Sequence, residues 1–213
     1  MIRTVFSIMF FLTWGAVSII EAQTSGNPGL AVTGFTNKVD HKEWQDARVG
    51  MGVRAMLSQA LAETGLFTLL EEKPEIKAQL EEIARNAWSG KQGEDALGKA
   101  MDQMKVAGAR FIASGKVFYF GKPRTRASVG PAHFASDEVV IKIEVTLAAV
   151  SKGKKITAIG SGKAKTTAAA GLFTYHGENL DADASMAGTA TKKAIDDAVG
   201  EIVKKYKKAY KVK

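Results

Sequence analysis

The chain has 213 residues, 46% of them hydrophobic, with 21 Gly, 4 Pro and no Cys. That length buries one good core with little left for a second, and the composition fits neither a Pro-rich linker nor a disordered chain. Without Cys there is no disulfide framework, thiolate chemistry, Cys-ligated zinc or acylated N-terminal Cys. The formal charge of +8 admits nucleic acid, anionic lipid or acidic polymer as partners and does not choose among them.

Residues 1–22 read as an export signal: Arg3 opens it, an apolar run follows from Val5 to Ile20, and Ala22 precedes the expected cleavage before Gln23. An uncleaved anchor is the alternative, since the run approaches a bilayer-spanning length. Either way the body of the protein works outside the cytoplasm. Residues 23–28 form a polar leader, residues 29–206 one α/β domain, and residues 207–213 a basic tail.

Leu30 to Phe35 reads as a first strand, followed by a polar connection over 36–48 that contains His41 and Trp44. Val53, Met56, Leu57, Ala60 and Leu61 recur at helical spacing, which places Arg54, Ser58, Gln59 and Glu63 on the opposite face. Gly50 and Gly52 let the helix start close against neighbouring backbone, and Gly65 suits a left-handed C-terminal cap. Residues 66–70 (LFTLL) read as a short buried strand.

Pro74 suits a first helical turn, and Ile76, Leu80, Ile83, Ala84 and Ala87 mark a second helix ended by Trp88-Ser89-Gly90. A weaker third helix spans 94–106, with Met101 and Met104 as core filler. Residues 107–117 (AGARFIASGKV) enter a central strand in which Gly115 suggests a bulge or close backbone approach. Residues 138–149 alternate cleanly, with Val139, Ile141, Ile143, Val145 and Leu147 on one face and Val140, Lys142, Glu144 and Thr146 on the other. A turn at 151–155 returns the chain as a hairpin partner over 156–164. Met186, Ala190, Ala194, Ile195, Ala198, Ile202, Val203 and Tyr206 define a long closing helix.

Three of these segments, in this order, resemble the family of curli production assembly/transport components (CsgG-like). They are MLSQAL followed by TGLFTLLEE, GARFIASGKV, and the terminal helix with its Ala-x-x-x-Ala-Ile spacing. Leu66 stands where the family usually carries Arg, and Lys152-Gly153-Lys154 replaces its Thr-Gly-Glu type of turn. The resemblance implies a single α/β (α+β) domain, with a mixed, mostly antiparallel sheet packed by three to four helices. It also implies an exported envelope protein, periplasmic or outer-membrane-associated, that acts in secretion or assembly. Subunits of that family each insert two β-hairpins, and several copies close one barrel. The candidate segments here, 122–137 and 163–175, carry thin apolar sets for strands of about ten residues with a lipid face. The expectation is the family fold without the pore.

No residue set points to catalysis, a cofactor or a metal. His41, His133 and His176 are widely spaced without ligand geometry. Gly160-Ser161-Gly162 lacks the nucleophile-elbow frame and reads as serving a strand end. Glu178, Asp181 and Asp183 faintly suggest calcium but lack the EF-hand pattern, so a helix-start loop capped by Asp183 or Ser185 explains them. The strongest charge feature is Lys204, Lys205, Lys207, Lys208, Lys211 and Lys213. Two readings stand for it: a solvated helix end suited to the negative dipole pole, or a contact surface for anionic lipid or polymer with Tyr206 and Tyr210 at the interface. The expected partners are copies of the chain itself or an envelope protein, and not nucleic acid. The alternatives are a true oligomeric outer-membrane secretion pore and a periplasmic binding module for an anionic ligand.

Overall fold

A computed structural model describes residues 26–70, 74–90, 102, 104–105, 107–129, 132–151, 153–166, 173–177, 179–181 and 185–212. Strands are β1 (Gly29–Asn37), β2 (Thr68–Leu69), β3 (Phe111–Gly121), β4 (Arg124–Val129), β5 (Ala132–Ala149), β6 (Lys155–Thr166), β7 (Thr174–His176) and β8 (Asn179–Asp181). Helices are α1 (Ala47–Glu63), α2 (Pro74–Trp88) and α3 (Met186–Tyr210). The main sheet runs β2-β1-β3-β5-β4, with β6 also paired to β5. β1 lies parallel to β2 and β3, and every pairing of β5 is antiparallel. This is the expected mixed, mostly antiparallel α/β domain.

The alternation read over 138–149 is the spine of the core: Val139, Ile141, Ile143 and Val145 are fully buried and Leu147 nearly so. α3 lies on that face. Its seat is built from small residues on both sides. Ile156, Ala158, Gly160, Gly162 and Ala164 of β6 meet Ala187, Ala190, Ala194 and Ala198 of α3. A Cβ on Gly160 would sit 2.7 Å from the Ala198 amide, and one on Gly162 would sit 2.6 Å from the Ala194 amide. The Gly-Ser-Gly segment therefore lies inside β6 beneath a helix, not at a strand end. Only hydrogen at those two positions lets the backbones approach.

α1 joins α3 on the same face through Val53, Leu57 and Leu61. Its end is as expected: Gly65 adopts φ +65°, and its amide bonds the Ala62 carbonyl at 3.0 Å. Its polar face is not. Arg54 and Ser58 are 4% and 6% exposed, and only Gln59 and Glu63 of the expected outer set are exposed. The Arg54 Nε donates to the Val32 carbonyl at 2.9 Å, beside a bulge where the β1–β3 register slips between Val32 and Gly34. The bulge shifts side-chain parity, so Val32 and Phe35 both reach the main core although they lie an odd number of residues apart. A buried donor beside a disturbed ladder is what periodicity in α1 alone does not reveal. Gly115 provides the expected close approach, but its neighbour is the Phe35 ring rather than backbone; the register shift within β3 falls further on, between Val117 and Tyr119, and another lies in β1. Gly50 and Gly52 likewise pack against side chains, Trp88 and Leu180 respectively.

Two other readings need correction. The buried strand over 66–70 is an edge strand of two residues, paired only to Gly29 and Leu30. Phe67 alone is buried there, stacked edge-on against Phe111 and Tyr206 at 5.8 and 5.0 Å. Trp44, read as part of a polar connection, is fully buried among Trp88, Phe120 and Phe173 at 6.0, 5.6 and 5.1 Å. Trp88 Nε1 donates to the Trp44 carbonyl at 3.0 Å, so an aromatic plug closes the start of α1 against the end of α2.

α2 starts at Pro74 as expected and packs on the opposite face, where Ile76, Leu80 and Met104 form a second cluster with Ala31, Ala109 and Ile112. Gly34, at φ +114°, receives Ala84 of α2 so closely that a Cβ would lie 2.8 Å from the alanine's own. The expected third helix falls mostly outside the described residues, as does Met101.

Candidate interaction surface

α2 covers β1 and the adjoining part of β3. The same face of β5 and β6 carries a polar array instead. Register aligns it in three rows: Ile112, Ala148 and Lys155; then Ser114, Thr146 and Thr157; then Lys116, Glu144 and Ile159. Thr146 and Thr157 share a hydroxyl hydrogen bond of 3.1 Å. Lys116 Nζ lies 3.4 Å from Glu144 Oε1. Lys142 Nζ stands 5.3 Å from the centre of the Tyr119 ring. Ile159 is 58% exposed at the centre of β6. Between this array and the flank of α2, where Ile83 and Ala87 stand, lies a hollow of about 670 Å³. Satisfied polar pairs with one exposed branched aliphatic suit a surface for reversible protein contact.

The outer edge of β6 is partly covered. Three side chains of α3 reach over it: Lys193 Nζ to the Lys163 carbonyl at 3.2 Å, Asp197 Oδ2 to the Ser161 amide at 3.0 Å, and Lys205 Nζ to the Thr157 carbonyl at 2.7 Å. These are alternate outward-pointing groups of an edge strand, which left bare would template another strand. The open face carries the more continuous available surface of β6.

At the far end of the sheet, β3 and then β4 pair successive stretches of β5. Pro123 lies between the two strands, and its carbonyl accepts from the Glu138 amide at 3.2 Å. Within the 122–137 segment the chain forms a β-hairpin in register from Arg124 opposite Asp137 to Val129 opposite Ala132. Pro123 falls outside the ladder, so it does not remove a paired donor. The second candidate segment is described only at its ends. β6 reaches Thr166, opposite Asp137, and Thr174 opens the small β7–β8 hairpin.

That small hairpin docks on the start of α1. Asp46 caps the helix by accepting from the Arg48 amide at 2.9 Å, and the Arg48 guanidinium bonds the same carboxylate at 2.7 Å while lying 4.1 Å from the Tyr175 ring centre. The hydrogen bond from Arg48 holds the Asp46 carboxyl below its ordinary pKa, and burial pushes the Tyr175 phenol up. His176 Nε2 stands 2.9 Å from Asp181 Oδ2. His41 precedes the 3-10 turn Lys42–Gln45 that leads into α1 and packs edge-on against Phe120 at 4.9 Å, and His133 lies in β5. Among the described residues no group of three His, Cys, Asp or Glu could hold a metal ion. Glu178 and Asp183 lie outside the described residues. Ser185 caps α3, its Oγ accepting from the Gly188 amide at 3.0 Å.

The lysines of the chain's end divide. α3 continues through Lys207 and Lys208 to Tyr210, and Lys211 takes a left-handed φ of 53° as its cap. Lys204 is bound to Glu201 at 2.7 Å, which raises its pKa, and Lys205 is bound to β6. Lys207, Lys208 and Lys211 are exposed, and Lys213 lies outside the described residues. The alternation in β5 already marks Lys142, Glu144 and Thr146 as its less-buried side; what spacing does not show is that β3 and β6 extend that side into one open array.

A mixed sheet with helices on one face and a half-covered second face defines the class of the protein. The chain belongs to the CsgG family, curli production assembly/transport components, whose profile it matches over residues 16–211. No curated protein matches it in sequence. Among solved structures it is similar to the PelC dodecamer from Paraburkholderia phytofirmans at 14% identity, covering 81% of this chain and 88% of that one with a TM-score of 0.41. It is also similar to lipoprotein GNA1162 from Neisseria meningitidis at 11% identity, covering 67% and 86% with a TM-score of 0.43. A third is the hypothetical protein CT253 from Chlamydia trachomatis at 10% identity, covering 83% and 96% with a TM-score of 0.45. Among the described residues no helix is long and apolar enough to cross a membrane.

Proposed function

We propose that this protein is a non-enzymatic, exported subunit of a cell-envelope secretion or assembly apparatus, working through contact with copies of itself or with an envelope partner. Membership of the family of curli production assembly/transport components supports the process. The observation that carries the mode of action is the half-open sheet face, on which Thr157 and Ile159 stand exposed beside paired Lys116 and Glu144. The contact runs over that face, because side chains of α3 cover part of the β6 edge. A second reading, a secretion pore, draws support from the β4–β5 hairpin, which extends past the part of the sheet that β3 pairs. The apolar sets of both candidate segments are thin for a lipid-facing wall, so the reading without a pore is preferred.

Light scattering on the exported form, with and without detergent, checked by negative-stain microscopy, separates the two. A defined detergent-independent oligomer that Ile159→Arg dissociates supports association over the open face. Large rings that need detergent turn the reading to a pore. A monomer that also gives no cross-linked adduct from the open face in the intact envelope contradicts the proposal.

A further inference from the structure

α3 is electrically divided. Its first part sets Lys192 and Lys193 against Asp196, Asp197 and Glu201; after Glu201 no acidic residue follows, and six of the last ten residues are lysine. The fold then adds cations from elsewhere. Lys154, in the turn between β5 and β6, places its Nζ 5.6 Å from the centre of the Tyr210 ring. Arg110 enters β3 beside it, its carbonyl accepting from the Val150 amide at 3.0 Å. Tyr210 is fixed by Phe111 at 5.4 Å and by Tyr206 at 4.8 Å, and the Val212 amide closes onto the Lys207 carbonyl at 3.1 Å. Three segments distant in sequence thus meet at one end of the molecule, opposite along β3 to the β4–β5 hairpin.

We propose that this basic end, formed by Arg110, Lys154, Lys207, Lys208 and Lys211, is a docking surface for the anionic headgroups of a phospholipid membrane. Neutralising the negative pole of α3 accounts for cations within its last turn. It does not account for Arg110 and Lys154, which belong to other elements. The charges are mostly ammonium groups, compact and without the planar fork that grips one phosphate bidentately. They stand on a helix end and a turn, which suits many weak headgroup contacts at once. Tyr210 and Val212, half-buried at the tip, have the apolar-with-polar character found at headgroup depth. Lys204 and Lys205 are not part of the surface, being held by Glu201 and by β6. The inference goes beyond the proposed mode of association and does not depend on it.

The test is sedimentation of the exported form with vesicles of phosphatidylglycerol and phosphatidylcholine, against vesicles of phosphatidylcholine alone, across a salt series. Binding to the anionic vesicles that falls with rising salt is expected. Lys207→Gln, Lys208→Gln and Lys211→Gln together should weaken it roughly a hundredfold, at about fivefold per lysine, with the fold retained and only a small fall in melting temperature from the lost helix-pole charges. Lys154→Gln alone should weaken it by about fivefold, which a pure helix-pole role would not produce. Equal binding to neutral vesicles, or a triple variant that binds like the parent, would overturn the proposal. So would preference for a soluble polyanion, such as duplex DNA at matched phosphate concentration, over the vesicles. Loss of self-association in the Ile159→Arg variant, with vesicle binding kept, would separate this surface from the open face.

Discussion

The two faces of the main sheet are built from the same strands and obey opposite rules. On one, Ile143 and Ile141 of β5 are fully buried, and β6 offers glycine and alanine so that α3 can press backbone against backbone. On the other, Glu144 and Lys142 pair with Lys116 and Tyr119, and Ile159 is left exposed. Adjacent residues of one strand therefore serve separate ends. The covered face sets stability, whereas the open face can change its chemistry with little effect on folding. Many proteins separate those tasks between core and loops; here the separation runs through the thickness of one sheet.

The contrast is easiest to break at its strongest point. Ile143→Ala should lower the free energy of unfolding by about 2–5 kcal/mol, because it opens a cavity under α3. Thr157→Ala, across the sheet on β6, should stay within about 0.5 kcal/mol; chemical denaturation of both variants reads the difference. Gly162→Val tests the seat of α3 from the other direction. Its side chain would meet helix backbone, which cannot rotate away, and a loss of about 3 kcal/mol is expected. If that variant melted like the parent, the close packing of α3 on β6 would be wrong.

Two smaller effects sharpen the picture. Asp46→Asn keeps a capping oxygen for α1 but removes the charge paired with Arg48. Because the folded-state pKa of Asp46 is lowered, the pair's stabilisation is complete above the ordinary carboxylate range and is lost as pH falls through the lowered value. Parent and variant should thus differ by about 1 kcal/mol near neutrality and converge in acid, as measured by denaturation across pH. Smallest of all, Glu144→Gln should cost at most about 0.5 kcal/mol and less in high salt, since its partnership with Lys116 is exposed.

How much of this was legible depended on whether the cause was local. The alternation in β5, the glycine stop after α1, the proline start of α2 and the long alanine-studded α3 follow from short-range periodicity, and each lies where the spacing places it. Arg54 was misplaced because its partner is a carbonyl beside a bulge in another element, and a helical wheel holds no information about β1. Trp44 reads as loop because nothing in its neighbours shows that Trp88 will stack on it. Gly160 and Gly162 looked like punctuation until a helix was laid across them. The lysines near the end were visible as a charge run, yet only the fold divides Lys204 and Lys205, bound within the molecule, from Lys207, Lys208 and Lys211. It alone adds Arg110 and Lys154 to the latter group.

The central claim is that the open face makes contacts and the covered side does not. It is tested most directly by a photo-activated cross-linker placed at position 159 of β6 and, as control, at exposed position 55 of α1, with the protein in its native envelope. The account predicts a discrete adduct from position 159, at the mass of two copies or of one copy and one envelope protein, and none from position 55. Adducts from position 55 alone, or none from either, would contradict it.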